Sequence, residues 1–254
     1  MKIRDVLPFC TAIQSVCLFF GLLSIRTSAH EVWIEDTPEG KLVVRFAEYG
    51  DDFEKSPGAL DAMHLRSAWS ERNDSNAPAA GGATPSREER EKQVLRQDKA
   101  QTFEITKGSD HFLLNGASAN KQAEAEADFA VMGVPGTAEK PARKPFFYAR
   151  WQPEGGGAVQ PSLDFDLVPT GNAGEACVYF RGKPVPGAKV TFYPPSAAEQ
   201  ELTSDDAGKV HFDDSKPGFY LLAASHHREA ITGFSRGIAY GALSHNCSLT
   251  WRKK

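Results

Sequence analysis

The chain has 254 residues, with 29 Lys and Arg against 33 Asp and Glu and a formal net charge of −4. Its first 29 residues carry Lys2, Arg4 and Arg26 against Asp5, a net of +2, which leaves −6 for residues 30–254. That acidity argues against nucleic acid or an anionic membrane as the partner, and no stretch after residue 29 is apolar for long enough to cross a bilayer.

Residues 1–29 read as a secretory leader: Lys2 and Arg4 open it, Val6 to Ile25 is mostly apolar, and Thr27 and Ala29 are the small residues expected before a cleavage site. Cleavage after Ala29 puts the rest of the chain in the periplasm and starts it at His30. Cys10 and Cys17 leave with the leader. Cys177 and Cys247 remain, and an isolated pair in an oxidising compartment predicts one disulfide. It would close a loop of about 70 residues, worth ~4 kcal/mol on the chain-entropy model.

From His30 the pattern has period two. Val32, Ile34, Leu42, Val44 and Phe46 alternate with Glu31, Glu35, Lys41 and Arg45 about a Pro38-Glu39-Gly40 turn, which predicts a hairpin. An acidic, turn-rich loop follows from Glu48 to Gly58. Residues 59–69 read as a short helix with Leu60, Met63 and His64 on one side. Residues 70–100 read as a loose surface insertion, Gly- and Ala-rich and then charged, with Ser86 and Glu89 at capping-box spacing for a minor helix. Strands are expected at 102–106, 111–114, 129–134 and 146–151, with a loop at 135–145.

Gly155-Gly156-Gly157 is the clearest linker. Beyond it short strands recur at 163–168, 175–181, 187–193, 201–204, 209–212, 218–225, 232–240 and 246–251, the spacing of a sandwich. The chain is therefore expected to be all-β, with two β-sandwich domains in tandem at 30–154 and 158–254.

Three segments of the second half, Gly182-Lys183-Pro184-Val185-Pro186-Gly187-Ala188-Lys189-Val190, Ser204-Asp205-Asp206-Ala207-Gly208-Lys209-Val210 and Pro217-Gly218-Phe219-Tyr220-Leu221, resemble transthyretin-like and carboxypeptidase-regulatory-like sandwiches. The resemblance implies a transthyretin- or immunoglobulin-like fold for 158–254. Taken with Ala29-His30-Glu31-Val32-Trp33-Ile34-Glu35, nearly all of 29–254 resembles a bacterial periplasmic family described as the periplasmic component of cobalt and nickel uptake systems. Where that family often has Gly-Glu after its second strand, this chain has Ala47-Glu48, so only the Glu carries over. The resemblance implies a divalent metal (nickel, cobalt or copper) and a membrane transport complex as partner.

The chain has seven histidines, and imidazole is the commonest transition-metal ligand. A processed His30 is a ready chelate, because its free α-amine and Nδ1 close on one ion. Further ligands are sought among Glu48 and its acidic loop, the vicinal His226-His227 pair, and His64. No nucleophile motif, phosphate loop or His-Glu-x-x-His segment is present. The expected role is therefore metal binding rather than catalysis. A non-catalytic adhesion or accessory sandwich binding protein or glycan is the alternative, and a copper enzyme centred on the amino-terminal histidine the third.

Overall fold

The computed structural model of the protein describes residues 30–70, 101–133 and 142–254. The leader, nearly all of the 70–100 insertion with its helical turn, and most of the 135–145 loop lie outside the described residues. What is described is all-β apart from one 3₁₀ turn at Ala59–Ala62.

The first half supplies β1 (Glu31–Asp36), β2 (Lys41–Ala47), β3 (Met63–Trp69), β4 (Glu104–Lys107), β5 (Phe112–Ser118), β6 (Ala123–Phe129) and β7 (Arg143–Gln152). The second supplies β8 (Phe165–Pro169), β9 (Glu175–Phe180), β10 (Lys183–Pro184), β11 (Lys189–Tyr193), β12 (Gln200–Thr203), β13 (Lys209–His211), β14 (Gly218–Glu229), β15 (Gly233–Ser235), β16 (Ile238–Tyr240) and β17 (Ala242–Lys253). A seven-stranded sheet in the order β12-β11-β14-β17-β7-β6-β3 draws on both halves. One of its faces is covered by the sheet β1-β2-β5-β4, the other by β10-β9-β13 with β8 on β9.

Strand parity assigns residues to these layers, because successive side chains of a strand point to opposite faces. On β7, Phe147, Ala149 and Trp151 join the core beneath β1 and β2, while Tyr148 joins the core beneath β8 and β9. On β14, Leu221 and Ala223 meet Trp33, while Tyr220, Leu222 and Ala224 face β8 and β9. Each half thus has its own apolar core, and the two share a middle layer. The join is β7 against β17, parallel over ten residues from Arg143↔Ala242 to Gln152↔Trp251. The Gly155-Gly156-Gly157 run is where the chain leaves that middle sheet after β7 and crosses to the outer layer that begins with β8.

Two expected elements are corrected. Residues 59–69 are not a helix: after the 3₁₀ turn the chain runs extended, Met63 and Leu65 entering the core while His64 and Arg66 stay exposed. The strand sought at 129–134 lies earlier, at Ala123–Phe129. Ala and Glu favour helix, but here Ala123, Ala125 and Ala127 line up opposite Trp151, Ala149 and Phe147. Small side chains at Ala123 and Ala127 beside the bulky Trp151 and Phe147 close the layer, and packing overrides propensity.

The disulfide is also corrected: Cys177 and Cys247 are free and buried. The reason is again parity. Ala176 and Val178 face the second core, so Cys177 between them points out of it, with Sγ against the Ala207 carbonyl at 3.4 Å. Cys247 points into that core. Residues on opposite faces of a layer cannot be bridged without moving the backbone.

Charge is also buried in the second core. Arg150 on β7 is fully enclosed, ion-paired with Glu124 on β6 at 2.7 Å and hydrogen-bonded to both oxygens of Asp166 on β8 at 3.0 and 2.7 Å. Ser162 bonds Glu124, Arg150 and Asp166. This network ties the middle sheet to the outer layer of the second half. Removing one member of such a set leaves an uncompensated charge in a dry site.

Candidate functional site

The opening hairpin builds the site through its register. Glu31 pairs with Ala47, so the residue before β1 stands beside the residue after β2, and these are His30 and Glu48. The turn between the strands closes with Gly40 at φ 73°, left-handed backbone that glycine adopts without strain, and with Gly40 N donating to the Thr37 carbonyl.

The acidic loop then folds back over the hairpin instead of lying in solvent. Tyr49 packs edge-on against Trp33 at 5.5 Å and against Tyr193 at 4.9 Å, and Phe53 lies 6.1 Å from Trp33 and beneath the Arg45 guanidinium at 4.0 Å. Glu54 N donates to the Phe46 carbonyl. The two apolar anchors sit one residue inside Glu48 and Glu54, so both carboxylates are held at the strand ends. Asp51 and Asp52 are exposed.

His30 lies between these carboxylates, its ring 5.0 Å from Phe46. Nε2 is 2.6 Å from Glu54 Oε1, and Nδ1 is 3.7 Å from Glu48 Oε1. The histidine side chain is 41% exposed, so solutes reach it. The two carboxylates approach opposite ring nitrogens, so the three side chains do not converge on one point. Among the described residues no group of three or more His, Cys, Asp or Glu side chains is arranged to hold a metal ion by itself.

Next to His30, Glu31 points inward toward β14. It is buried, and its contact there is Ser225 Oγ, which donates at 2.9 Å. Burial pushes its carboxyl up to about 8, with the Ser225 bond pulling the other way. Farther along, Ser248 Oγ and Thr250 Oγ1 of β17 donate to the carbonyls of Val32 and Ile34 at 2.7 and 2.5 Å. These bonds fasten β1 to the middle sheet, at about 1 kcal/mol each.

The remaining candidates are placed as follows. His226 lies in an irregularity of β14, where pairing with β17 skips between Ala224 and His227. His227 lies on the other side of the sheet, against Phe180 at 4.2 Å and Phe165 at 5.3 Å. His64 is exposed on the outer side of β3, with Nδ1 3.6 Å from Asp128. The structure therefore brings His30 and Glu48 together, and leaves His227 and His64 apart from them.

Two groups were not singled out from the sequence. Glu54 was legible as one acid of the loop, and the Phe53 anchor beside it is the signal that distinguishes it. The second group has no such signal. His245 is 2% exposed and stacks between Phe146 and Tyr148; its Nδ1 meets Tyr148 Oη at 3.1 Å and its Nε2 meets Glu229 at 3.0 Å. Arg181 clamps the same Glu229 with bonds of 2.9 and 2.8 Å. Burial lowers the His245 pKa, opposed by Glu229. The contact fastens the ends of β14 and β17 and has no opening to solvent at the imidazole.

Fold and site thus define an all-β protein with a histidine set between two carboxylates at the mouth of its first hairpin. Residues 27–228 match the family described as Domain of unknown function (DUF4198), and the chain belongs to that family. No curated protein matches it. Among solved structures, the FN1-FN3 domains of chicken CNTN1 are similar at 11% identity over 88% of this chain and 66% of that one, with a TM-score of 0.19. The chain thus spans just under two thirds of that relative's length, and a superposition so loose bears on neither fold nor function.

Proposed function

We propose that the protein binds a divalent transition metal, nickel or cobalt with copper as a further candidate, in the periplasm, as an accessory to metal uptake through a membrane transport complex. The observation that supports this reading is the setting of His30. Histidine ligands characteristically give their second ring nitrogen to a carboxylate, which fixes the tautomer and raises the basicity of the ligating nitrogen. Glu54 on Nε2 fits that orienting part. Nδ1 is then the free donor, on the side of Glu48.

A chain cleaved after Ala29 adds the α-amine of His30 next to Nδ1. Amine, Nδ1 and the Glu48 carboxylate make a nitrogen-rich set suited to nickel, cobalt or copper. The amine must lose its proton to bind, so affinity falls as pH drops below about 7.7–8.0. The described histidine and acids alone do not make the set. Processing completes it, and the resemblance to cobalt and nickel uptake proteins points the same way.

The test is calorimetric titration of the chain beginning at His30 with Ni(II), Co(II) and Cu(II), together with amino-terminal sequencing of the periplasmic form. Micromolar or tighter binding is expected. It should weaken at least about tenfold in His30→Ala and in a chain with one residue added ahead of His30. Binding unchanged by both alterations, or a periplasmic form that starts elsewhere, overturns the proposal.

A further inference from the structure

Between Glu229, where β14 ends, and Ala242, where β17 begins, the chain leaves the three layers and forms an arm. Its strands β15 and β16 pair only with each other, Phe234 opposite Ala239 and Ser235 opposite Ile238. The base of the arm is anchored, because Glu229 is taken by Arg181 and His245. Its turn is tight, with Arg236 and Gly237 at φ 51° and 79°.

The exposed large apolar side chains among the described residues are all on this arm: Ile231 at 42%, Phe234 at 79% and Ile238 at 43%. Scattered singly such residues mean nothing, but three of them within eight residues of one arm call for a partner. The arm also carries uncompensated positive charge. Arg236 at its tip and Arg228 at its base have no acidic partner among the described residues. Neither has Arg143, which lies close enough to Arg228 to feel its charge.

We infer that the 230–241 arm is a membrane-contact element that seats Phe234, Ile231 and Ile238 at the surface of an anionic phospholipid bilayer, with Arg228 and Arg236 on the phosphates. Three features favour lipid over a protein. The register puts Phe234 and Ile238 on opposite faces of the two-stranded ribbon, which suits a fluid that closes around it better than a flat surface. A dozen residues fall short of the roughly 20–30 that a stable protein interface takes from each side. Apolar side chains with arginines beside them are the composition of segments that lie in the headgroup boundary. The net acidity, which taken over the whole chain argues against an anionic membrane, is overridden locally, because fields fall off within about 8–10 Å at physiological salt and the charges nearest the bilayer are the arm's own. A charged tip keeps insertion shallow and binding reversible.

The test is co-sedimentation of the chain from His30 onward, which holds every described element and lacks the apolar leader that would bind lipid by itself. Vesicles of phosphatidylethanolamine and phosphatidylglycerol are compared with phosphatidylcholine alone. Binding is expected on the anionic vesicles and weaker on the neutral ones. It should drop at least about tenfold in Phe234→Ser/Ile238→Ser and several-fold in Arg236→Glu, with thermal unfolding unchanged because these side chains are exposed. A Phe234→Trp reporter should shift its emission to the blue on the anionic vesicles. No sedimentation at millimolar lipid, or equal binding by the double variant, overturns the inference. A dimer in size-exclusion chromatography that forms without lipid and is abolished by the double variant also overturns it, and assigns the arm to a second copy of the chain.

Discussion

The middle sheet has a charged cluster on either side, and the two could hardly be more different in setting. On the side of the second half, Arg150, Glu124 and Asp166 are sealed from water, and cation meets anion at 2.7 Å. On the side of the first half, His30, Glu48 and Glu54 sit at a rim, partly exposed, with two carboxylates and no fixed cation. The first cluster spends its charge on holding layers together. The second leaves negative charge and a nitrogen donor facing solvent, which is what a cation from outside needs. Burial and local balance of charge, rather than residue type, separate the structural cluster from the one proposed to bind.

That contrast can be broken by mutation. The largest effect is expected from Arg150→Ala, which strands two carboxylates in the second core and should cost on the order of 3–5 kcal/mol in chemical unfolding. A cost below about 1 kcal/mol would mean that water reaches the cluster. Next comes Glu31→Gln, with no metal added. The folded carboxyl keeps its proton up to about pH 8 while the unfolded one loses it near 4.5. Between these values the folded state therefore binds more protons, so Glu31's contribution is fully present below pH 4.5 and is lost as pH rises through 8. Relative to the parent, the variant should gain stability across that window, on the order of 4 kcal/mol by pH 8. Parallel stability–pH curves for the two would contradict the burial of that carboxyl.

At the rim the balance reverses. His30→Ala should change unfolding stability by no more than about 0.5 kcal/mol, because a partly exposed polar contact contributes little, although it is expected to remove most metal affinity. A loss of several kcal/mol would make His30 a structural residue like Arg150. The smallest effect concerns the thiols. Reductant should leave the melting temperature of the 30–254 chain unchanged, and both Cys177 and Cys247 should react with a thiol reagent once the chain is unfolded. A reductant-sensitive melting temperature would restore the disulfide.

Much of this architecture was legible in the chain. The β1–β2 and β4–β5 hairpins follow from alternation around Pro38-Glu39-Gly40 and Lys107-Gly108-Ser109-Asp110, and most strands beyond Gly157 follow from evenly spaced turns. The site was legible in part, since His30 and Glu48 each stand out. That they are neighbours is a matter of register, which no local signal states. The His226-His227 pair and His64 also read as candidates, behind His30, because imidazoles on opposite sides of a sheet look alike in a linear pattern.

The order of residues by itself determined most of the strands, the turns and the residue types available to bind a metal, because these depend on contacts a few residues apart. Tertiary structure alone decided that β7 and β17 pair in parallel across the two halves, that an Ala- and Glu-rich segment runs as a strand, that Cys177 points out of the core into which Cys247 points, and that Glu54 reaches back to His30. Each of these depends on which face of which layer a side chain meets. That is settled only when strands distant in sequence bury their apolar sides against one another.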